Sequence, residues 1–301
     1  MDALTDLLRG VRAQSALLCR SYAAPPWSVR FAGTASLTAV MASRGDGWLI
    51  ADDHEPMRLR AGDIGLVRGP LPFVLADDPA TPLQLDTTLP GCAKWAVGTR
   101  TYRLGEQGDA TILTGSYEVE GSVSDRLLHA LPRAFVVPCG PCPTVDLLSD
   151  EIAKDQPGQE GVLDRLLDLL LVFALRDWFD RPEANTPGWY RALGDPVVGP
   201  ALRAIHDEPA VSWTVGDLAD RAKVSRAVLA KRFTAQVGVP PLTYLTEWRM
   251  SVAADLLAEP DATVHSVARA VGYRDGFAFS TAFKRVRGVR PSDHRVVALR
   301  A

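Results

Sequence analysis

Cysteine and histidine are scarce in this 301-residue chain, which has four of the first and five of the second. The cysteines, Cys19, Cys92, Cys139 and Cys142, are too few and too spread for a disulfide framework, so a reducing, cytoplasmic setting is expected. Long apolar runs are absent as well. The richest, Leu166 to Leu175, is interrupted by Asp168 and flanked by Asp164, Arg165, Arg176 and Asp177. It falls short of the roughly 20 residues that a membrane span needs, so no membrane partner is expected. The N-terminus has no basic stretch followed by an apolar one, so no secretory signal is expected either. No Ser-His-Asp set or phosphate-cradling Gly-rich loop stands out, and no catalytic residue is assigned.

Excess charge is also missing, but only on average. The net formal charge of −3 hides an asymmetry: from His206 onward there are 14 Lys and Arg against 10 Asp and Glu. From Ala262 onward the balance is 8 against 2, so a basic end is attached to an acidic body. That distribution suits a phosphate-binding module joined to something that does not touch nucleic acid.

The basic end is ordered by a repeat. Thr214 is a hydroxyl N-cap candidate for a helix over Val215 to Ala222, and Ser225 for a second over Arg226 to Val237 with Leu229 and Phe233 inward. Gly238 stands where a left-handed C-cap is wanted, and Pro240-Pro241 ends the unit. About fifty residues on, Thr263 caps Val264 to Val271, Gly272-Tyr273 turns, and Asp275 caps a helix with Phe279 and Phe283 inward. Ala219 thus corresponds to Ala268, Ser225 to Asp275, Leu229 to Phe279 and Phe233 to Phe283, with one extra residue in the second turn. Leu242 to Ala258 supplies an apolar stripe long enough to hold both units on one helix.

Leu218-Ala219, Ser225, Leu229, Phe233, Gly238, Pro241, Tyr244-Leu245, Arg249, Ala253, Leu256-Leu257, Val267-Ala268, Val271-Gly272-Tyr273, Phe279, Ala282 to Arg285, Gly288 and Pro291 together resemble the AraC/XylS family of transcription regulators. The resemblance covers the last third of the chain. It implies a sequence-specific binder of double-stranded DNA, acting as a homodimer, with RNA polymerase a further candidate partner. It also implies that residues one, two, five and six after each cap face the major groove. These are Arg226, Ala227, Ala230 and Lys231 in the first unit, and Gly276, Phe277, Ser280 and Thr281 in the second. Arg226 and Lys231 can donate to guanine O6 and N7, and alanines can meet a thymine methyl. Arg232, Lys284, Arg285 and Arg287 suit phosphates, which fix register without reading sequence. Thr281 stands where the family usually has Arg, and Gly276-Phe277 replace a polar pair, so weaker hydrogen-bonded readout is expected from the second unit.

Earlier in the chain, Asp2 to Gln14 reads as a short amphipathic helix. From Ala24 to Glu120 the texture is of short β-type runs punctuated by Gly and Pro: Trp27 to Phe31, Leu37 to Val40, Gly47 to Ile50, Ile64 to Val67, Phe73 to Leu75 and Ala110 to Glu120. Met57 to Ile64 followed by Pro70-Leu71-Pro72-Phe73 resembles the cupin sensor domain of many such regulators, and Leu127 to Val137 resembles its closing segment. Cupins often hold a metal on clustered His and carboxylate ligands. Here only His54 and His129 lie in that region, neither in a His-x-His pair, so no metal or cofactor is expected. The barrel is left as a pocket for an effector of unknown identity or as a dimerisation scaffold.

Pro143 to Lys154 and Gly161 to Phe179 read as helices. The second is apolar around most of its circumference and is expected to mediate dimerisation, with Leu167 and Leu170 at the seam. Cys139-Gly140-Pro141-Cys142 has the inner four residues of a thioredoxin-type redox site, ahead of a helix N-terminus that would stabilise a thiolate. A redox or metal-sensing pair, with Cys19 or Cys92 as further participants, stands beside the thiol-disulfide oxidoreductase and the rigid loop as readings. A non-specific architectural DNA binder is the remaining alternative.

The expected architecture is an α+β multidomain chain. It comprises a cupin-like β-barrel over 1–142, a helical dimerisation segment over 143–181, a linker and lead-in helix over 182–205, and an all-α double helix-turn-helix domain over 206–301.

Overall fold

The computed structural model describes residues 3–51, 54–87, 95–105, 108–154, 156–182, 184 and 186–298, and Cys92 lies outside them. The chain forms two compact units, one over Val11–Val119 and Leu131–Ala184, the other over Met1–Gly10, Glu120–Ala130 and Asn185–Ala301.

The first unit is built from β1 (Val11–Ala23), β2 (Ser28–Phe31), β3 (Leu37–Arg44), β4 (Gly47–Ala51), β5 (Met57–Leu59), β6 (Ile64–Arg68), β7 (Phe73–Ala76), β8 (Leu85–Asp86), β9 (Ala96–Gly98), β10 (Thr101–Leu104), β11 (Ala110–Val119) and β12 (Ala134–Val137). They make a seven-stranded sheet, ordered β12-β6-β3-β11-β1-β10-β9, and a five-stranded sheet, ordered β5-β4-β7-β2-β8. Inward residues of both sheets, among them Val29, Leu49, Phe73, Leu75, Leu104 and Ile112, form one buried core. This is the β-sandwich geometry of a barrel domain, reached because alternate residues of each strand face the same side.

Residues 11–14, expected to continue a helix, are instead the start of β1. Val11 to Gln14 pair antiparallel with Val119 to Ser116 of β11. The apolar spacing of Leu4, Leu7, Leu8 and Val11 fits a helix, but long-range pairing decides the conformation after Gly10. A Cβ at Gly10 would come within 2.0 Å of the Glu120 carbonyl oxygen, so that close approach demands glycine. The short strands β5, β8, β9 and β10 and the closing strand β12 carry too few residues to show a period of their own.

Two helices complete this unit, α3 (Pro143–Glu151) and α4 (Gln159–Phe179), which follow β12 in the chain. Helix α4 buries Leu163, Leu167, Leu170, Leu171, Ala174, Leu175 and Phe179. The buried Tyr117 hydroxyl of β11 donates to the Leu167 carbonyl at 2.8 Å. Leu167 and Leu170, placed at a dimer seam by the sequence pattern, are therefore packed inside their own unit, both 0% exposed. What α4 leaves open is a second stripe, Val162, Leu169 and Phe173, each more than two-fifths exposed.

The second unit gathers α1 (Ala3–Leu8), α2 (Ser122–Ala130), α5 (Gly188–Leu193), α6 (Val198–Asp207), α7 (Val215–Arg221), α8 (Arg226–Val237), α9 (Pro241–Ala258), α10 (Val264–Ala270), α11 (Gly276–Arg287) and α12 (Pro291–Ala298). Two of its helices come from the part of the sequence read as barrel. The segment expected to close the barrel is thus split, its first half forming α2 and only Ala134–Val137 joining the sheet as β12. Among the described residues no helix is long and apolar enough to cross a membrane.

Candidate nucleic-acid interface

Helix α7 begins at Thr214, whose hydroxyl accepts from the Asp217 amide while the Asp217 carboxylate accepts from the Thr214 amide, a reciprocal capping box. After a four-residue turn, the Ser225 hydroxyl accepts from the Val228 amide and starts α8. Leu218, Ala219, Leu229 and Phe233 lock α7 and α8 together, all 1% exposed or less. The second unit repeats the construction. Thr263 and Ser266 form a capping box at α10, and the Asp275 carboxylate accepts from the Phe277 and Ala278 amides at the start of α11. Phe279 and Phe283 are fully buried, their rings 5.7 Å apart. Gly238 and Gly288, at φ +91° and +79°, end α8 and α11 in the left-handed conformation expected of them.

Helix α9 fixes one unit against the other. Its Tyr244 ring lies 5.8 Å from Phe233 of the first unit, while Met250, Ala253, Ala254 and Leu257 enter the core of the second. The Arg249 guanidinium, half-buried, donates to the Pro209 and Val211 carbonyls at 2.6 and 2.8 Å and lies 5.7 Å from the Tyr273 ring. Helices α8 and α11 are thereby held at a set distance and angle.

On α8 the outer residues Arg226, Ala227 and Lys231 are exposed and Ala230 half-exposed. Lys231 has no acidic partner among the described residues. Arg226 folds back so that its guanidinium covers Gly216 of α7. The Thr214 hydrogen bonds, and after them the Arg226 charge, hold the Asp217 carboxyl below the ordinary carboxylate range. Arg232, proposed for phosphate from its position, is engaged internally. Its Nε and Nη2 donate to the Asp195 carboxylate at 2.9 and 2.7 Å, beside a 2.6 Å hydrogen bond from Gln236. The guanidinium remains 47% exposed, and Asp195, thirty-seven residues away, left no local mark in the sequence.

On α11 Phe277 stands 81% exposed at the N-terminal end, the most exposed large apolar side chain described. Thr281 Oγ1 donates to the Phe277 carbonyl at 2.9 Å and Ser280 Oγ to the Gly276 carbonyl at 2.8 Å. Their hydroxyl protons are thus committed to the helix, which leaves acceptor lone pairs facing out. Phe277, Ser280, Thr281, Lys284 and Arg285 line an open groove whose far wall adds Arg290, a residue the helical count from the cap does not reach. Lys284 and Arg285 are exposed, whereas Arg287 donates to the Ser122 hydroxyl of α2 at 2.6 Å.

The thiols behave differently from the redox pattern. Cys139 and Cys142 lie between β12 and α3, with no strand-helix-strand unit around them, and both are free. Burial, with Cys142 and Asp177 adding and Arg181 opposing, pushes the Cys139 thiol up to about 11. Burial likewise raises Cys19, against the Arg100 charge. Protonated thiols are poor nucleophiles. No group of three or more metal-ligating side chains occurs among the described residues. Between the two sheets lies a cavity of about 280 Å³, lined mostly by apolar groups such as Phe31, Phe73 and Leu104, with Cys19, Tyr102 and Glu118 among the polar ones.

Two family models match: a cupin model over residues 2–180 and a helix-turn-helix domain model over residues 218–296. Relatives along the whole length include an AraC-like transcription regulator of Streptomyces lividans, 36% identical over 98% of both chains. A second, from Streptomyces antibioticus, is 34% identical over 98% of both. The HTH-type transcriptional regulator AlkR of Acinetobacter baylyi is 35% identical over 48% of this chain and 47% of its own.

Proposed function

The chain belongs to the AraC-like transcription regulators, with a cupin domain ahead of its helix-turn-helix domain, and we infer on that premise that α8 and α11 enter successive major grooves on one face of the duplex. The observation that carries this is the repeat itself. Two capped helix pairs, each with a polar or exposed outer face, are mounted on the single rigid helix α9. At ~1.5 Å per residue the 18 residues of α9 span roughly 27 Å, which with its flanking turns approaches the ~34 Å groove repeat. The remaining mismatch is met by bending the DNA, at a cost of about 1–6 kcal/mol.

The two helices read unequally. Lys231 and Arg226 supply donors for guanine, Ala227 and Ala230 small apolar contacts, and the α7–α8 pair carries most of the hydrogen-bonded specificity. In α11 the contacts of Gly276, Ser280 and Thr281 are weak, Phe277 meets a thymine methyl, and Lys284 and Arg285 hold phosphates. Binding fragments of genomic DNA, sequencing them and footprinting the best site tests this. One protomer should protect two major grooves about 10–10.5 bp apart, with strong base preference in one only. Equal preference in both grooves refutes the assignment to α11. Equal affinity for selected and random DNA at fixed salt would favour an architectural binder instead.

The protein acts in the cytoplasm as a homodimer, through the open α4 stripe of Val162, Leu169 and Phe173 rather than through Leu167 and Leu170. Its cupin cavity takes a compact, largely apolar effector, with Glu118, which accepts from the Ser36 hydroxyl at 3.0 Å, on its polar wall. Control by the thiols is the second reading; with Cys139 held protonated, it requires an electrophile or oxidant stronger than ordinary disulfide exchange supplies. No catalytic role is assigned to the protein, and recruitment of RNA polymerase is left to the bound regulator's exposed surface.

A further inference from the structure

Three arginines meet around one cleft of the helical unit. Arg126 comes from α2, Arg285 and Arg287 from the end of α11, and Thr243, Thr246 and Ser251 of α9 complete the lining, with Glu247 the one acidic group. Other cations of this unit are committed elsewhere: Arg232 to Asp195, Arg221 to Glu208, Arg295 to the Pro260 carbonyl. Those around the cleft form no ion pair among the described residues, although the Arg287 charge acts on the Asp255 carboxylate of α9. Arg285 has no hydrogen bond or ion pair among the described residues, and Arg287 spends Nη2 on the neutral Ser122 hydroxyl at 2.6 Å. Arg126 reaches only Ser251 Oγ at 3.5 Å while stacking 5.7 Å from the Tyr244 ring. At the same place α9 starts at Pro241, after an N-cap Pro240 that offers no side-chain cap, so the first-turn amides from Leu242 on add their dipole to the positive field.

We propose that this cleft is an oxyanion site that seats a DNA backbone phosphate, with Arg126, a residue of the cupin part of the sequence, as one of its ligands. The choice of DNA over a free anion follows from continuity. Arg285 lines both this cleft and the groove of Phe277, Ser280 and Thr281, one helical turn after Thr281 on the same face of α11. A strand whose bases face α11 therefore carries its phosphates past the cleft. Guanidinium groups and hydroxyls are the donor set that phosphate diesters take, and they read no sequence. The proposal rests on the DNA-binding reading and adds a contact outside both recognition helices.

The test uses the full-length protein and a random-sequence duplex of about 30 bp, since a phosphate contact is independent of sequence. Each neutralised phosphate contributes about −0.9 to the slope of log K against log salt. Arg126→Gln should lower the affinity several-fold and make the slope shallower by about that amount. Arg126→Lys, which keeps the charge but not the stacking plane, should restore most of the slope. Thr243→Glu places a negative charge in the cleft at a helix start that tolerates it. It should fold as the wild type does and bind at least ten-fold more weakly. Slopes equal to the wild type in Arg126→Gln and Thr243→Glu, with both folded, overturn the proposal and leave the DNA reading intact. A wild type with no salt-dependent duplex binding refutes that reading itself. If inorganic pyrophosphate raises the melting temperature of the wild type but not of Arg126→Gln, while the DNA slopes agree, the cleft holds a free anion and the DNA assignment is wrong.

Discussion

Lys223 and Gly272 occupy the same place in the two turns, both with positive φ, +55° and +83°. In each case the next residue's amide reaches back five residues, Val224 to the Ala219 carbonyl at 3.1 Å and Tyr273 to the Ala268 carbonyl at 2.8 Å. Lys223 is the only non-glycine with positive φ among the described residues. The first turn therefore holds a side chain in a conformation that costs about 1–2 kcal/mol for an L-residue. Replacing Lys223 by Gly should stabilise the helical unit by about 0.5–1 kcal/mol, after the extra freedom that glycine gives the unfolded chain. The converse change is severe, because a Cβ on Gly272 would meet the Ala210 carbonyl oxygen at 2.3 Å. Urea melts followed by helical circular dichroism check both, and a destabilising Lys223→Gly contradicts the strain.

Lys231→Ala should weaken binding to the selected site by roughly 1–3 kcal/mol and relax preference at one base pair. Its side chain is exposed, so folding should not change. Titration against matched and singly mismatched duplexes separates readout from attraction. An equal loss on both would make Lys231 a phosphate contact.

Phe277 is too exposed to support the fold, and Phe277→Ala should leave stability within ~0.5 kcal/mol of the wild type. If it meets a thymine methyl, replacing that thymine by uracil should cost about 0.8 kcal/mol in the wild type. The same substitution should cost the Phe277→Ala variant nothing. A variant that still distinguishes thymine from uracil removes the contact.

The two sides of α4 predict opposite phenotypes. Leu169→Asp or Phe173→Asp should give a folded monomer in sedimentation, since both side chains are open to solvent. Leu170→Asp places a charge in a fully buried position and should unfold the barrel unit instead. A wild type already monomeric at micromolar concentration would leave no dimer for α4 to explain.

His206 gives the helical unit a pH dependence. It is buried, its Nε2 lies 2.9 Å from the Tyr244 hydroxyl, and its ring lies 3.9 Å from that of Trp248. Burial lowers its pKa below 6.5, with Arg126 also lowering and Asp6 and Asp207 opposing. A histidine with a depressed folded-state pKa binds its proton more readily when unfolded, so stability is full above about pH 6.5 and declines as the pH falls below it. Urea melts between pH 5 and pH 8 should show that decline, and His206→Gln should flatten it. A profile equally steep in the variant would assign the effect to another group.

The C-terminal third was legible because its determinants are local. Thr214, Ser225, Thr263 and Asp275 cap the helices that the sequence pattern gave them, and Leu229, Phe233, Phe279 and Phe283 are buried as their spacing required. Capping and helical periodicity act over one or two turns, so a single sequence carries them whole. The strands β3 and β11 and the two helices after the barrel were also legible from local pattern, whereas β1, the longest strand, was not.

What only the tertiary structure decided was partnership at long range. Val11 begins a strand because β11 pairs with it a hundred residues later, although the local apolar spacing is helical. Arg232 is paired with Asp195, and Leu167 and Leu170 are buried by the packing of α4 in its own unit. Helix α2 lies between two strands in sequence yet belongs to the helical unit, where the Asp255 carboxylate accepts from the Ser122 and Val123 amides. Sequence periodicity states which face of a helix is apolar. The partner for that face is chosen by the free energy of burying it against every element available, and that sum exists only in the folded chain.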